Sequence, residues 1–263
     1  MAMDRLENLK NIIMYLMADN RVSHRIPSTL EERQRMMRAL MNVWEPRPIS
    51  EDFLKMQDAE LQMQCEDKGV VEISDITPQT SDILLWQGDI TRLKVDAIVN
   101  AANAQALGCW APLHNCIDNC IDNCIHSAAG IQLRKECNDT MQGRLLATGN
   151  AFITKGDNLP AKHVIHTVGP IIPDGIPTKE QEEQLAACYR SCLDLAEKNG
   201  LESIAFCCIS TGVFHFPNQR AAEIAIETVK SYPRHSLKTI VFNVFLDKDR
   251  DIYEQLLGAC PMA

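Results

Sequence analysis

No apolar run in this sequence approaches the ~18 residues that a membrane-spanning helix needs, which argues against a helical membrane protein. An export signal is not expected either. The opening stretch MAMDRLENLKNIIMYLMADN sets acidic residues inside its apolar run and has no small-residue cleavage site. Positive charge is in deficit: 26 basic against 35 acidic residues leave a net charge of -9. That argues against broad binding to a nucleic-acid backbone, but not against one small anion in a local pocket. Glycine is scarce early on, since Gly69 alone precedes Gly88. Extracellular cues are missing too, so eleven cysteines, an odd number, are expected as reduced thiols in a cytoplasmic protein.

What is present divides the chain in two. Nine of the eleven methionines lie before Gln64, and the residues up to 80 read as a separate helical extension. Thr29 and Glu32 stand at capping-box spacing ahead of Met36, Met37, Leu40, Met41 and Trp44. Leu6, Leu9, Ile12, Ile13 and Leu16 form a similar stripe, and a third helix is expected from Ser50 to Cys65. Methionine-rich stripes of this kind are core material, so the extension is expected to dock rather than swing free.

From Ile83 the pattern changes to short apolar runs separated by turns and helical stretches, the signature of an α/β sheet covered by helices over residues 81–263. Strands are predicted in ILLWQG, DAIVNAAN, NAFITKG, KHVIHTVG, ESIAFCCIS and TIVFNVF. Helices are predicted over Ile117 to Glu136, Lys179 to Asn199, Asn218 to Ser231 and Lys248 to Leu257. Loops that join strand ends to helix starts are where such sheets bind ligands.

Several of those loops carry polar chemistry. Asp89 follows one strand and Asn100 and Asn103 end the next, a set able to read a base edge and sugar hydroxyls. Ser210, Thr211, Gly212 and Val213 follow a buried strand, and successive amides ahead of a helix can hold a pyrophosphate without a lysine. His166 and His126 read as packing histidines, and Cys188, Cys192, Cys207 and Cys208 as small apolar residues.

In this order, GDIT, VDAIVNAAN, IHSAAG, VIHTVGP and ISTGVFHFP closely resemble the macrodomain family, over roughly Ile83 to Leu257. The resemblance implies a three-layer α/β/α fold with a mixed sheet and an ADP-ribose cleft. It also implies that Asp89 reads the adenine amino group beside the Ile90 amide, with Phe245 packed on the base. Asn103 would face the distal ribose, with Asn100 a further ligand-binding candidate, and Ser210 to Phe214 would wrap the diphosphate and that sugar. The stretch GCWAPLHNCIDN is similar to the loop of the zinc-dependent branch, whose members also carry a helical N-terminal extension.

Cys109, His114 and Cys116 offer two thiolates and an imidazole, a set that suits Zn2+ and leaves a fourth position open, as in catalytic centres. The unit Cys-Ile-Asp-Asn is doubled, however. Counting from Cys109 selects Cys116 and Asp118, whereas counting back from His126 selects Cys120 and Asp122. The short His114-Asn115-Cys116 link favours the first set, with Asp118 and Asn103 as catalytic candidates and Cys120 and Asp122 as alternatives. The activity implied is removal of mono-ADP-ribose from modified proteins, from aspartate or glutamate esters, by a zinc-dependent hydrolase. Two other readings stay open: a reader of ADP-ribose without catalysis, and a structural or redox zinc protein.

Overall fold

The computed structural model describes residues 4–111 and 120–258. Three helices come first: α1 (Arg5–Asp19), α2 (Leu30–Asn42) and α3 (Glu51–Lys68). The first N–H groups of a helix have no intrahelical acceptor, and short polar side chains supply one here. Asp4 accepts from the Leu6 amide, Thr29 from Glu32 and Ser50 from Phe53. The Glu32 carboxylate in turn accepts from the Thr29 hydroxyl at 2.7 Å.

Leu9, Ile12, Ile13 and Leu16 pack with Met37, Leu40, Met41, Trp44, Phe53 and Leu61. Ile131, from the following α/β region, completes this core. Polar links reinforce the junction: Gln57 accepts from the Ile131 amide at 3.0 Å and donates to Gln132 at 2.6 Å. The methionine stripe is therefore packed, and the extension is docked on the α/β region.

The α/β region then runs β1 (Val71–Glu72), β2 (Ile83–Gln87), β3 (Leu93–Lys94), β4 (Ala97–Ala101), α4 (Ile121–Ala129) and α5 (Ile131–Met141). It continues with β5 (Ala151–Lys155), β6 (His163–Thr167), α6 (Lys179–Lys198), β7 (Ser203–Phe206), α7 (Asn218–Ser231), β8 (Thr239–Val244) and α8 (Asp247–Gly258). Strands β1 and β3 form a small parallel pair. The main sheet has the order β2-β8-β7-β4-β6-β5, parallel except where β5 meets β6.

Connections from β4 step one way across this sheet, and those from β6 and β7 step back. The right-handed crossovers β6-α6-β7 and β7-α7-β8 step the same way and put α6 and α7 side by side on one face, while α4 packs on β4 and α5 on β5. Ile98, Val99, Val164, Ile165, Ile204 and Val241 are accordingly fully buried, as strands covered on both sides must be. On the outer side of β2, Pro78 forms an antiparallel bridge with Leu84.

The single helix expected from Ile117 to Glu136 is corrected. Its described part divides into α4 and α5 at Gly130, whose φ of +103° lies in the left-handed region that interrupts a right-handed helix. No described helix is long and apolar enough to cross a membrane.

Candidate active site

Parallel strands send their C-terminal ends to one edge of the sheet, and the loops there line a cleft. Along that edge the order β2, β8, β7, β4 sets out Asp89, then Phe245, then Ser210 to Phe214, then Asn100 and Asn103. At about 4.8 Å per strand the row spans roughly 14 Å, which suits an elongated ligand.

At the β2 end, Asp89 caps a single 3-10 turn, Ile90–Arg92. Its Oδ1 accepts from the Thr91 amide at 3.0 Å and the Thr91 hydroxyl at 2.6 Å, and its Oδ2 pairs with Lys68 of α3 at 3.0 Å. Burial would raise this carboxyl, but the Lys68 charge and the Thr91 hydrogen bonds outweigh it and hold it below the usual range. The Asn243 side chain donates to the Gly88 carbonyl at 2.9 Å and so fixes the strand end. Ile90 is buried, whereas Phe245 lies one residue beyond β8 and is 55% exposed.

Across β7, the chain turns at Ser210, whose φ is +66°. The loop is tied by Thr211 Oγ1 to the Cys208 carbonyl, His215 N to the Gly212 carbonyl, Phe216 N to the Ser210 carbonyl and Ile172 N to the Phe214 carbonyl. Among the described residues, no main-chain acceptor takes the amides of Gly212, Val213 or Phe214. Such a run of amides forms a cradle for an anion. From beneath, Gly169 supports the turn: a Cβ there would lie 1.9 Å from Ser210 Oγ.

The β4 end is built from side chains instead. Asp122, on the first turn of α4, accepts from Asn100 Nδ2 at 2.7 Å and from Asn103 Nδ2 at 3.2 Å. Its carboxyl is buried, which pushes its pKa up to about 6 against the opposing Asn100 hydrogen bond and Arg134 charge. Asn103 also donates to the Gly108 carbonyl and accepts from the Gln105 and Ala106 amides, so its orientation is fixed. Asn100 is fully buried and turned toward Asp122 and His166. Its Nδ2 is spent on those two side chains, while its Oδ1 takes no hydrogen bond among the described residues.

Below them, His126, Cys137 and His166 each bring one metal-competent atom within 4.8 Å of the others. Protein groups already engage His166, however. Asn100 Nδ2 donates to Nδ1 at 3.1 Å, which leaves the proton on Nε2, facing the Thr154 hydroxyl at 3.0 Å and Cys137 Sγ at 3.7 Å. Burial lowers His166 to about 3 and raises the Cys137 thiol, so both are neutral. His126 is buried too, with Nε2 3.5 Å from Asp122.

Of the metal-ligand candidates, Cys109 lies in the loop after β4, its carbonyl accepting from Arg134 at 3.0 Å, and Cys120 immediately precedes α4. His114, Cys116 and Asp118 lie outside the described residues. Sequence reasoning did not single out Lys68, Gly169 or Arg134. For Arg134 a signal existed: it interrupts the apolar stripe Ile131, Cys137 and Met141 of α5.

A family model, the Macro domain, matches residues 99–225. A protein-ADP-ribose hydrolase of Treponema medium is 49% identical over 94% of this chain and 97% of its own. One from Staphylococcus aureus (strain MRSA252) is 46% identical over 96% and 97%. Among solved structures, a Trypanosoma brucei macrodomain in complex with ADP-ribose matches 84% of this chain and 95% of its own, with 30% identity and a TM-score of 0.64. An Oceanobacillus iheyensis macrodomain with ADP matches 70% and 94%, with 37% identity and a TM-score of 0.59. With relatives this similar along nearly their whole length and the same fold beneath the cleft, the chain belongs to the macrodomain family.

Proposed function

We propose that this protein hydrolyses the bond between ADP-ribose and a modified protein side chain, an ester to aspartate or glutamate, with Zn2+ at the distal-ribose end of the cleft. The observation that carries the reading is the buried Asp122 carboxylate, shared by Asn100 and Asn103 beside the Cys109 loop. Relatives named protein-ADP-ribose hydrolases support the reaction class.

The cleft divides the ligand by chemistry. Asp89 takes the adenine amino group next to the Ile90 amide, and Phe245 packs on the base. The amides of Gly212, Val213 and Phe214, with Ser210 and Thr211, hold the diphosphate, which allows a protein of net charge -9 to bind an anion. Asn103 orients the distal ribose.

Hydrolysis adds water across the ester, releases ADP-ribose and leaves a free carboxylate, and groups fixed around the developing charge lower the barrier. With a pKa near 6, Asp122 is mostly ionised at neutral pH and suited to take a proton from water or a sugar hydroxyl. Asp118 is the alternative base. The donors fit zinc: Cys109 and His114 with Cys116, or with Cys120, give two thiolates and one imidazole with an open position. When bound, the metal supplies Lewis acidity toward a ribose hydroxyl or water.

The test is incubation with a mono-ADP-ribosylated acceptor, with and without a zinc chelator. Release of ADP-ribose that chelation abolishes supports the proposal. Binding of ADP-ribose without release makes the protein a reader, and zinc uptake without ADP-ribose binding makes it a structural zinc protein. Loss of zinc in Cys120→Ser and not in Cys116→Ser, together with loss of activity in Asp122→Asn, would assign the second Cys-Ile-Asp-Asn unit to the site; the reverse pattern would assign the first.

A further inference from the structure

The extension does more than cover an apolar face. Arg134 of α5 is 3% exposed, yet no carboxylate forms an ion pair with it among the described residues. Its guanidinium is instead spent on main-chain carbonyls. Nη1 donates to Asn42 and Trp44 at the end of α2, at 2.8 and 2.9 Å, and Nη2 donates to Cys109 at 3.0 Å. Trp110 lies over the guanidinium, with the ring centroid 4.4 Å from Cζ. Asn42 reaches the same loop with its side chain, donating to the Ala111 carbonyl at 3.3 Å.

Three consecutive residues, Cys109, Trp110 and Ala111, are thus each held from the extension side, directly or through one buried cation. A rigid fork is what this arrangement requires, because arginine presents several donors in one plane and lysine a single point charge. Metal ligands need such support, since a site binds its ion only when distances are held to a few tenths of an ångström.

We infer that Arg134 is a positioning residue that clamps the Cys109 loop between α5 and the helical extension, so that the extension forms part of the metal centre's scaffold. The metal part of this inference rests on the zinc reading above; the clamp itself does not. Loss of such an outer support costs about 10- to 100-fold in metal affinity in comparable sites.

The experiment compares the full-length protein with Arg134→Lys and Asn42→Ala. Arg134→Lys keeps the charge and loses the fork, and circular dichroism shows whether it folds. Two readouts are taken: zinc affinity by competition with a chromophoric chelator, and hydrogen exchange of the Trp110 and Ala111 amides in metal-free protein. The clamp predicts a 10- to 100-fold weaker zinc affinity in Arg134→Lys, a smaller loss in Asn42→Ala, and faster exchange at both amides in both variants. Free ADP-ribose should bind Arg134→Lys with wild-type affinity through Asp89 and the amide loop. Wild-type zinc affinity together with unchanged exchange in Arg134→Lys overturns the proposal. If the wild-type protein takes up no zinc, the metal reading fails, and exchange then decides the clamp: equal rates refute it and faster rates support it. Should Arg134→Lys fail to fold, Asn42→Ala decides in the same way.

Discussion

At the β4 end of the cleft, side chains form the site: Asp122 holds Asn100 and Asn103, and a layer of buried histidine, threonine and cysteine backs them. At the β7 end the candidate site is made of main chain, a turn at Ser210 and a run of amides, while Val213 is 74% exposed. The two ends should fail differently under mutation. A network of buried side chains loses its geometry when one member goes, whereas an amide cradle is indifferent to its own side chains and is upset by whatever moves the backbone.

The largest effect should come from Asp122→Ala. It leaves the amide groups of Asn100 and Asn103 without their shared acceptor, which should cost about 1–3 kcal/mol in stability. Misplacing the distal ribose should lower turnover by about 10²-fold. Denaturant melts and rates of ADP-ribose release measure both, and near-wild-type turnover would remove Asp122 from the site.

Asp89→Ala should follow, weakening free ADP-ribose by about 1.5–3 kcal/mol in calorimetry, as loss of a charged hydrogen-bond partner does. Unchanged affinity would refute the adenine assignment. Next is Gly169→Ala, whose methyl group would meet Ser210 Oγ at 1.9 Å. Overpacking of that kind costs about 1–3 kcal/mol, and displacement of the amide turn should weaken ADP-ribose about tenfold. Val213→Ala, in the same loop, should change affinity by less than about 0.5 kcal/mol. A large loss there would mean that side chains bind the diphosphate after all.

Glu197→Gln should leave both ends of the cleft untouched. Burial works against the Glu197 charge, but the amides of His235, Ser236 and Leu237 and the Ser236 hydroxyl all donate to it and lower it to about 2. A depressed carboxylate stabilises the fold above its unfolded pKa and loses that contribution as pH falls toward the folded value. Solvent screens a carboxylate this little buried, so the wild-type protein should exceed the variant by about 1 kcal/mol near pH 7, and the gap should close between about pH 4.3 and pH 2.

Much of this was legible in the sequence, for a physical reason. Buried parallel strands read as unbroken apolar runs, so β4, β6 and β7 announce themselves, and Asp89, Asn103 and Ser210 follow such runs directly. The α1 and α2 stripes were equally plain, since 3.6-residue periodicity survives in any packed helix. What stayed hidden is what sequence separation conceals. Lys68 reaches Asp89 across 21 residues, and Arg134 reaches Asn42 across 92. The doubled Cys-Ile-Asp-Asn unit offered two registers, and the short His114-Asn115-Cys116 link favoured the first. Only the position of α4 against β4 tells that Asp122 meets both asparagines.

Pro78 has a consequence of another kind. A sheet edge with free donors and acceptors is a template on which a second chain can add a strand and begin to aggregate. Beside Leu84 that place is occupied by a residue of the same chain, and proline has no N–H to offer a newcomer. The outer strand that leads to Asp89 is therefore blunted at Leu84 by its own chain, and a newcomer strand would have to displace that bridge before it could pair there.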